Sequence, residues 1–159
     1  MKVLLLSVGK VRGLFADPIA EFETRASRYF SFEAREVKEE PGTRGRSAEQ
    51  VMAEEGKRLL ARLPAGYDLV ALHRKGRAWS SDQLATYLDG LASRAAPGVA
   101  FVIGGAFGLS DEVLGRATHL LSLSGMTLPH ELARLVCTEQ IYRAGTILRG
   151  EPYHKGTDG

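Results

Sequence analysis

Three short apolar runs constrain what this chain can fold into: "VLLLSV" (Val3 to Val8), "YDLVALH" (Tyr67 to His73) and "GVAFVIGG" (Gly98 to Gly105). Each is continuous rather than alternating. A strand with one wet face alternates apolar and polar side chains, whereas a strand covered on both faces does not, so these runs read as strands of a parallel sheet. Helical segments lie between them. "DPIAEFETRASRYF" begins with Asp17 as an N-cap and Pro18 at the first helical position, where a missing N–H costs nothing. "SAEQVMAEEGKRLLARL" begins with Ser47 followed by Gln50, the pattern of a capping box. "SSDQLATYLDGLASRA" supplies a further helix. Strands alternating with helices predict an α/β fold, a parallel sheet flanked by helices. "FEAREVK" (Phe32 to Lys38) does alternate, which places it towards an edge.

The final helix, from about Glu131 to Leu148, differs from the others. Ala133, Cys137, Ile141, Ala144 and Leu148 follow helical spacing, while Leu132, Leu135, Val136 and Tyr142 populate a second side. A helix apolar on more than one face is covered on more than one face. Either it is a central helix of the monomer or its second face meets another copy; a homodimer is the more economical account.

At 159 residues, 44% hydrophobic and 25% charged, the chain has the composition of one globular domain over 1–159. The 21 Lys and Arg against 19 Asp and Glu leave a net charge of +2, so bulk charge does not select nucleic acid as a partner and the distribution of charge has to. The single Cys137 excludes an internal disulfide. The apolar stretch after Lys2 lacks a cleavage pattern and membrane-spanning length, so a cytoplasmic protein with no membrane contact is expected. His73, His119, His130 and His154 are scattered, and no metal site is expected. The last residues, "KGTDG", read as a loose tail.

Two stretches carry chemistry. "VIGGAFGLSDE" ends a strand in Gly104 and Gly105, with Gly108 next and Ser110 as a helix N-cap; such glycines suit a ligand at the strand ends or, equally, a tight strand-to-helix turn. "LSGMTLPHEL" is a second strand-to-helix loop. If the strands are parallel neighbours, both loops and the end of "ALH" (Ala71 to His73) share one sheet edge and form one cleft of backbone amides and carbonyls for a flat heterocycle. His130 there can cap, touch a phosphate or titrate. The dinucleotide and P-loop glycine spacings are both absent, as is the G-x-S-x-G elbow of a hydrolase. Basic residues gather at Arg44 and Arg46, at Arg74, Lys75 and Arg77, and in the tail; interleaved with glycine they suit either phosphate backbones or simply solvent. Tyr153 beside His154 and Lys155 pairs an aromatic with basic groups, a combination able to stack on a splayed base.

Taken together, "SVGK", "GTRGR", "LVALHRKGRAWSS", "FVIGGAFGLS", "LSLSGMTLPHELARLVCTEQIYRA" and "PYHK" resemble, almost end to end, the bacterial ribosomal RNA large subunit methyltransferase H family. The resemblance implies a SPOUT-type α/β knot, with a C-terminal trefoil knot in roughly 67–155, and a homodimer through the final helix. It implies methyl transfer from S-adenosyl-L-methionine to N3 of a pseudouridine in large-subunit (23S) rRNA, on the assembled ribosome. It further implies a cofactor pocket at Leu72, Gly104, Gly105, Leu123, Ser124, Gly125, Met126, Thr127, Leu128 and Pro129. Candidates for proton handling or base alignment are His130 and His154, with Tyr153 to stack and Lys155 to hold phosphate. Arg44, Arg46, Arg74, Lys75 and Arg77 are the candidate RNA contacts. Family members commonly end in "PYHR"; Lys155 replaces that Arg and keeps a phosphate contact but not a bidentate fork. Methylation of another RNA such as tRNA, and a non-catalytic ribosome-binding factor, are the alternatives.

Overall fold

The computed structural model describes residues 1–43 and 45–155. Five strands form one parallel sheet: β1 (Lys2–Val8), β2 (Ser31–Val37), β3 (Asp68–Ala78), β4 (Gly98–Ile103) and β5 (His119–Ser122), in the order β2-β1-β4-β3-β5. The three continuous runs are β1, β3 and β4, the central strands. The alternating segment is the edge strand β2, as its pattern requires.

Period-two geometry divides each central strand between two cores. Val3, Leu5, Val70, Val99, Phe101 and Ile103 face one side, where they pack with α1 (Ala16–Ala26), α3 (Ser81–Ser93) and α5 (His130–Leu148). Leu4, Leu6, Val8, Leu69, Ala71, Ala100 and Val102 face the other, under α2 (Ala48–Ala61) and α4 (Asp111–Arg116). Both sides of the sheet are therefore dry.

The helix starts follow local chemistry with one correction. Ser47 caps α2 in the expected capping box with Gln50, and Ser110 accepts from the Val113 N–H at the start of α4. A second capping box, Ser80 with Gln83, starts α3. Asp17, by contrast, is not the cap of α1. A short 3-10 turn (Gly13–Phe15) runs straight into the helix, so Phe15 occupies the N-cap and Asp17 lies in the first turn as a charge facing the helix dipole.

β3 is longer than its apolar run because its pairing with β5 resumes after a break. Leu72 pairs with Leu121 and the register then jumps to Arg77, leaving His73 to Gly76 as a bulge. That bulge and the loops after β4 and β5 all leave the carboxyl edge of the sheet. α5 crosses behind that edge between α1 and α3. Among the described residues no helix is long and apolar enough to cross a membrane.

Candidate active site

A cavity of about 510 Å³ opens at the carboxyl edge. Leu72, His73 and Arg74 come to it from the β3 bulge, Ile103 to Leu109 from the end of β4, and Leu123, Ser124, Met126, Thr127 and Leu128 from the loop after β5. His130, the first residue of α5, and Ala133 close it. Leu72, Gly104, Gly105 and five of the seven loop positions singled out in the sequence thus meet in one place. Gly125 and Pro129 belong to the same loop but do not line the cavity.

The loops after β4 and β5 are held in shape by hydrogen bonds within themselves. The Gly108 N–H donates to the Gly105 carbonyl at 3.1 Å, folding the β4 loop onto itself. Ser122 Oγ donates to the Ser124 carbonyl at 2.9 Å, and Ser124 Oγ accepts from the Met126 N–H at 2.9 Å. The Ser122 and Ser124 hydroxyls thus order the loop after β5, leaving Met126, Thr127 and Leu128 to line the cavity. Phe107 and Met126, 53% and 79% exposed, make an apolar rim.

The other candidates lie elsewhere. The Tyr153 hydroxyl donates to Glu139 Oε1 at 2.8 Å, and Arg143 binds the same carboxylate at 2.7 Å. The Arg143 guanidinium lies 4.6 Å from the Tyr153 ring centroid, and Tyr142 flanks that ring at 4.6 Å. Arg143 also donates to His154 Nδ1 at 3.3 Å. Because arginine only donates, Nδ1 is an acceptor and the proton of the neutral ring is on Nε2. That Nε2 is buried without a hydrogen-bond partner among the described residues; Asp82 Oδ2 is 3.8 Å away. At 1.5 Å per residue, Glu139 and Arg143 stand about 14 and about 20 Å along α5 from His130. Within one chain the cavity with His130 and the cluster with Tyr153 and His154 therefore lie apart.

Of the basic residues, Arg74 lines the cavity. Lys75 and Arg77 are exposed and do not line it, and among the described residues none of the three enters an ion pair. Arg46 pairs with Glu40 at 3.0 Å. Arg44 lies outside the described residues. Lys155 is exposed at the end of the described chain. No group of three or more His, Cys, Asp or Glu able to hold a metal ion occurs among the described residues.

The family described as "Predicted SPOUT methyltransferase" matches residues 1–154. A ribosomal RNA large subunit methyltransferase H from Gemmatimonas aurantiaca is 52% identical over 98% of this chain and 100% of its own. One of the same name from Syntrophotalea carbinolica is 45% identical over 97% and 99%. The chain belongs to this SPOUT methyltransferase family.

Solved structures agree with this SPOUT methyltransferase in fold. A putative methyltransferase from Legionella pneumophila, in complex with bound SAM, superposes with a TM-score of 0.51 at 16% identity, over 91% of this chain and 66% of that one. A probable methyltransferase from Bordetella pertussis gives 0.51 at 14% identity, over 89% and 95%. Sequence reasoning about this SPOUT methyltransferase missed Glu139 and Arg143. Their spacing of four on a helix is the ordinary signature of a surface ion pair, and only the returning tail shows that the pair organises Tyr153 and His154.

Proposed function

We propose that this chain transfers a methyl group from S-adenosyl-L-methionine to N3 of a pseudouridine in a large-subunit (23S) rRNA hairpin loop, acting as a homodimer on the assembled ribosome in the cytoplasm. The observation that carries the reading is the meeting of three strand ends in one cavity, in a chain 52% identical to a ribosomal RNA large subunit methyltransferase H. The cavity fits the cofactor. Its volume lies within the range of about 300–1,000 Å³ usual for such ligands. Leu72, Ile103, Leu123 and Leu128 offer apolar walls for adenine, and the glycine-rich backbone of 104–108 offers amides and carbonyls for its polar edge. The chain forms a single SPOUT domain over 1–159, with the knot in roughly 67–155 as its resemblance implies.

When bound, the cofactor supplies a methyl group on an electrophilic sulfonium. The protein's work is then to hold N3 in line with that group and to take up the N3 proton. His130, on the cavity wall, is the side chain placed to accept a proton. His154 is set up differently: with Nδ1 held by Arg143, its Nε2–H is a donor, suited to a carbonyl oxygen of the base. Tyr153, wedged between Tyr142 and Arg143, orders the tail rather than presenting a free stacking face. Arg74 on the cavity wall, with the exposed Lys75 and Arg77 that follow it, supplies phosphate contacts, with Lys155 and the basic loop as further ones.

A homodimer reconciles the two half-sites. Leu132, Leu135 and Val136 on α5 are half-buried and join neither core. Packing this face against its copy with the helices antiparallel would bring the Tyr153–His154 cluster of one protomer to the cavity of the other, covering the 14 to 20 Å that one chain leaves open (about 1.5 Å per helical residue). The test is transfer of labelled methyl to ribosomes from a strain lacking the modification, beside tRNA from the same strain. Label in ribosomes and none in tRNA is expected. Label in tRNA alone would replace the substrate, and cofactor binding with no transfer to either would favour a non-catalytic binding factor.

A further inference from the structure

Glu55 is a carboxylate that neither half-site uses. It sits on α2, 4% exposed, and its Oε1 is buried without a hydrogen-bond partner among the described residues, while its Oε2 accepts from the Glu40 N–H at 3.1 Å. Burying such a group is costly unless it is well bonded, and a position that keeps one needs an explanation. Its neighbours supply it. A Cβ placed on Gly105 would stand 2.9 Å from Glu55 Oε1 and 3.1 Å from Oε2, so the carboxyl group lies directly against the backbone that floors the cavity. The next residue, Gly56, leaves no room for a Cβ against Ser110, the cap that ends the same loop.

On its other side, Glu55 holds the start of the basic loop. Glu40, whose N–H it binds, pairs through its carboxylate with Arg46 at 3.0 Å and with Arg58. Arg58 also donates to the Lys38 carbonyl at 2.9 Å. This segment follows the carboxyl end of β2, on the same sheet edge as the cavity. A continuous series of contacts thus runs from Arg46 through Glu40 and Glu55 to Gly105.

We propose that Glu55 is a positioning residue that couples the two: it braces the Gly105 floor of the cavity and ties it to the basic loop, so that phosphate drawing Arg46 off Glu40 alters cofactor binding. The proposal rests on the cofactor reading above. Coupling of this kind is reciprocal and amounts to about 5–150-fold in affinity.

The experiment measures binding of S-adenosylhomocysteine by calorimetry to the full chain and its variants, with thermal unfolding of each recorded without ligand. Glu55→Ala should weaken binding about tenfold, although the residue does not line the cavity. Glu55→Gln, which keeps the shape, should restore it to within about threefold, and Glu40→Gln, which frees Arg46 and Arg58, should weaken it by a smaller factor. A folded Glu55→Ala that binds as the parent does would overturn the bracing role. Unchanged binding by Glu40→Gln would overturn the link to the basic loop, and that variant carries the test if Glu55→Ala does not fold. A parent chain that fails to bind S-adenosylhomocysteine would overturn the cofactor reading instead.

Discussion

Arg134 shows how much a single side chain can hold in this fold. It is buried on α5, with Nη1 2.7 Å from Glu36 and Nη2 2.8 Å from Glu23, and it donates to Ser7 Oγ at 3.2 Å, so one guanidinium joins α5 to α1, β2 and β1. Removing one member of a buried pair strands the others, at a cost of about 3–5 kcal/mol. Arg134→Ala should lower stability by about 3 kcal/mol in urea titration; a loss within about 0.5 kcal/mol would mean that the pairs are solvated. Cys137 is simpler. Burial pushes its thiol up to about 12, so the folded protein should not react with iodoacetamide near neutral pH and should react once unfolded. Labelling at the rate of a free thiol in the native protein would contradict this. For Glu55, burial raises the carboxyl above its ordinary value, and the Glu40 N–H only partly offsets it. A raised carboxyl favours the fold below the ordinary carboxylate range and loses that contribution as pH rises through the higher value. The stability of Glu55→Gln relative to the parent should therefore grow as the pH rises above the ordinary carboxylate range; a constant difference would contradict the shift.

At the scale of elements, what was legible in the sequence was whatever short-range chemistry decides. Ser47 and Gln50 named the start of α2 because both partners of the capping box lie within one turn. Ser80→Ala, at the equivalent cap of α3, should cost about 1 kcal/mol in the same titration; no loss would mean that the start of α3 is fixed by packing alone. Asp17 misled because its role depended on the 3-10 turn before it, and a pattern of single residues does not reveal that turn. The end of β3 was missed for a related reason: Arg77 and Ala78 pair with β5 only after the bulge at 73–76, and exposed polar residues beyond an apolar run carry no strand signal. The cavity was more legible, since parallel strands bring their carboxyl ends to one edge and two small-residue loops left that edge beside the end of a third strand.

At the scale of the molecule, composition and periodicity alone point only to an α/β domain with a ligand at its strand ends. The separation of His130 from His154 depends on where the tail returns along α5, and no local pattern encodes that. If the two half-sites meet across a dimer, activity should be restorable by mixing. A variant crippled in the cavity by Gly105→Val and one crippled in the tail by His154→Ala should each be inactive alone; unfolded and refolded together, they should regain about a quarter of parental activity, from the one site in four that is intact. Two inactive variants that stay inactive when mixed would place both half-sites' work within one chain. The central claim is the chemistry itself, and nucleoside mass spectrometry of rRNA from treated ribosomes tests it most directly. The account predicts a single methylated pseudouridine, with the methyl on N3, in a large-subunit hairpin loop; a methyl on ribose, on another base or at scattered positions would contradict it.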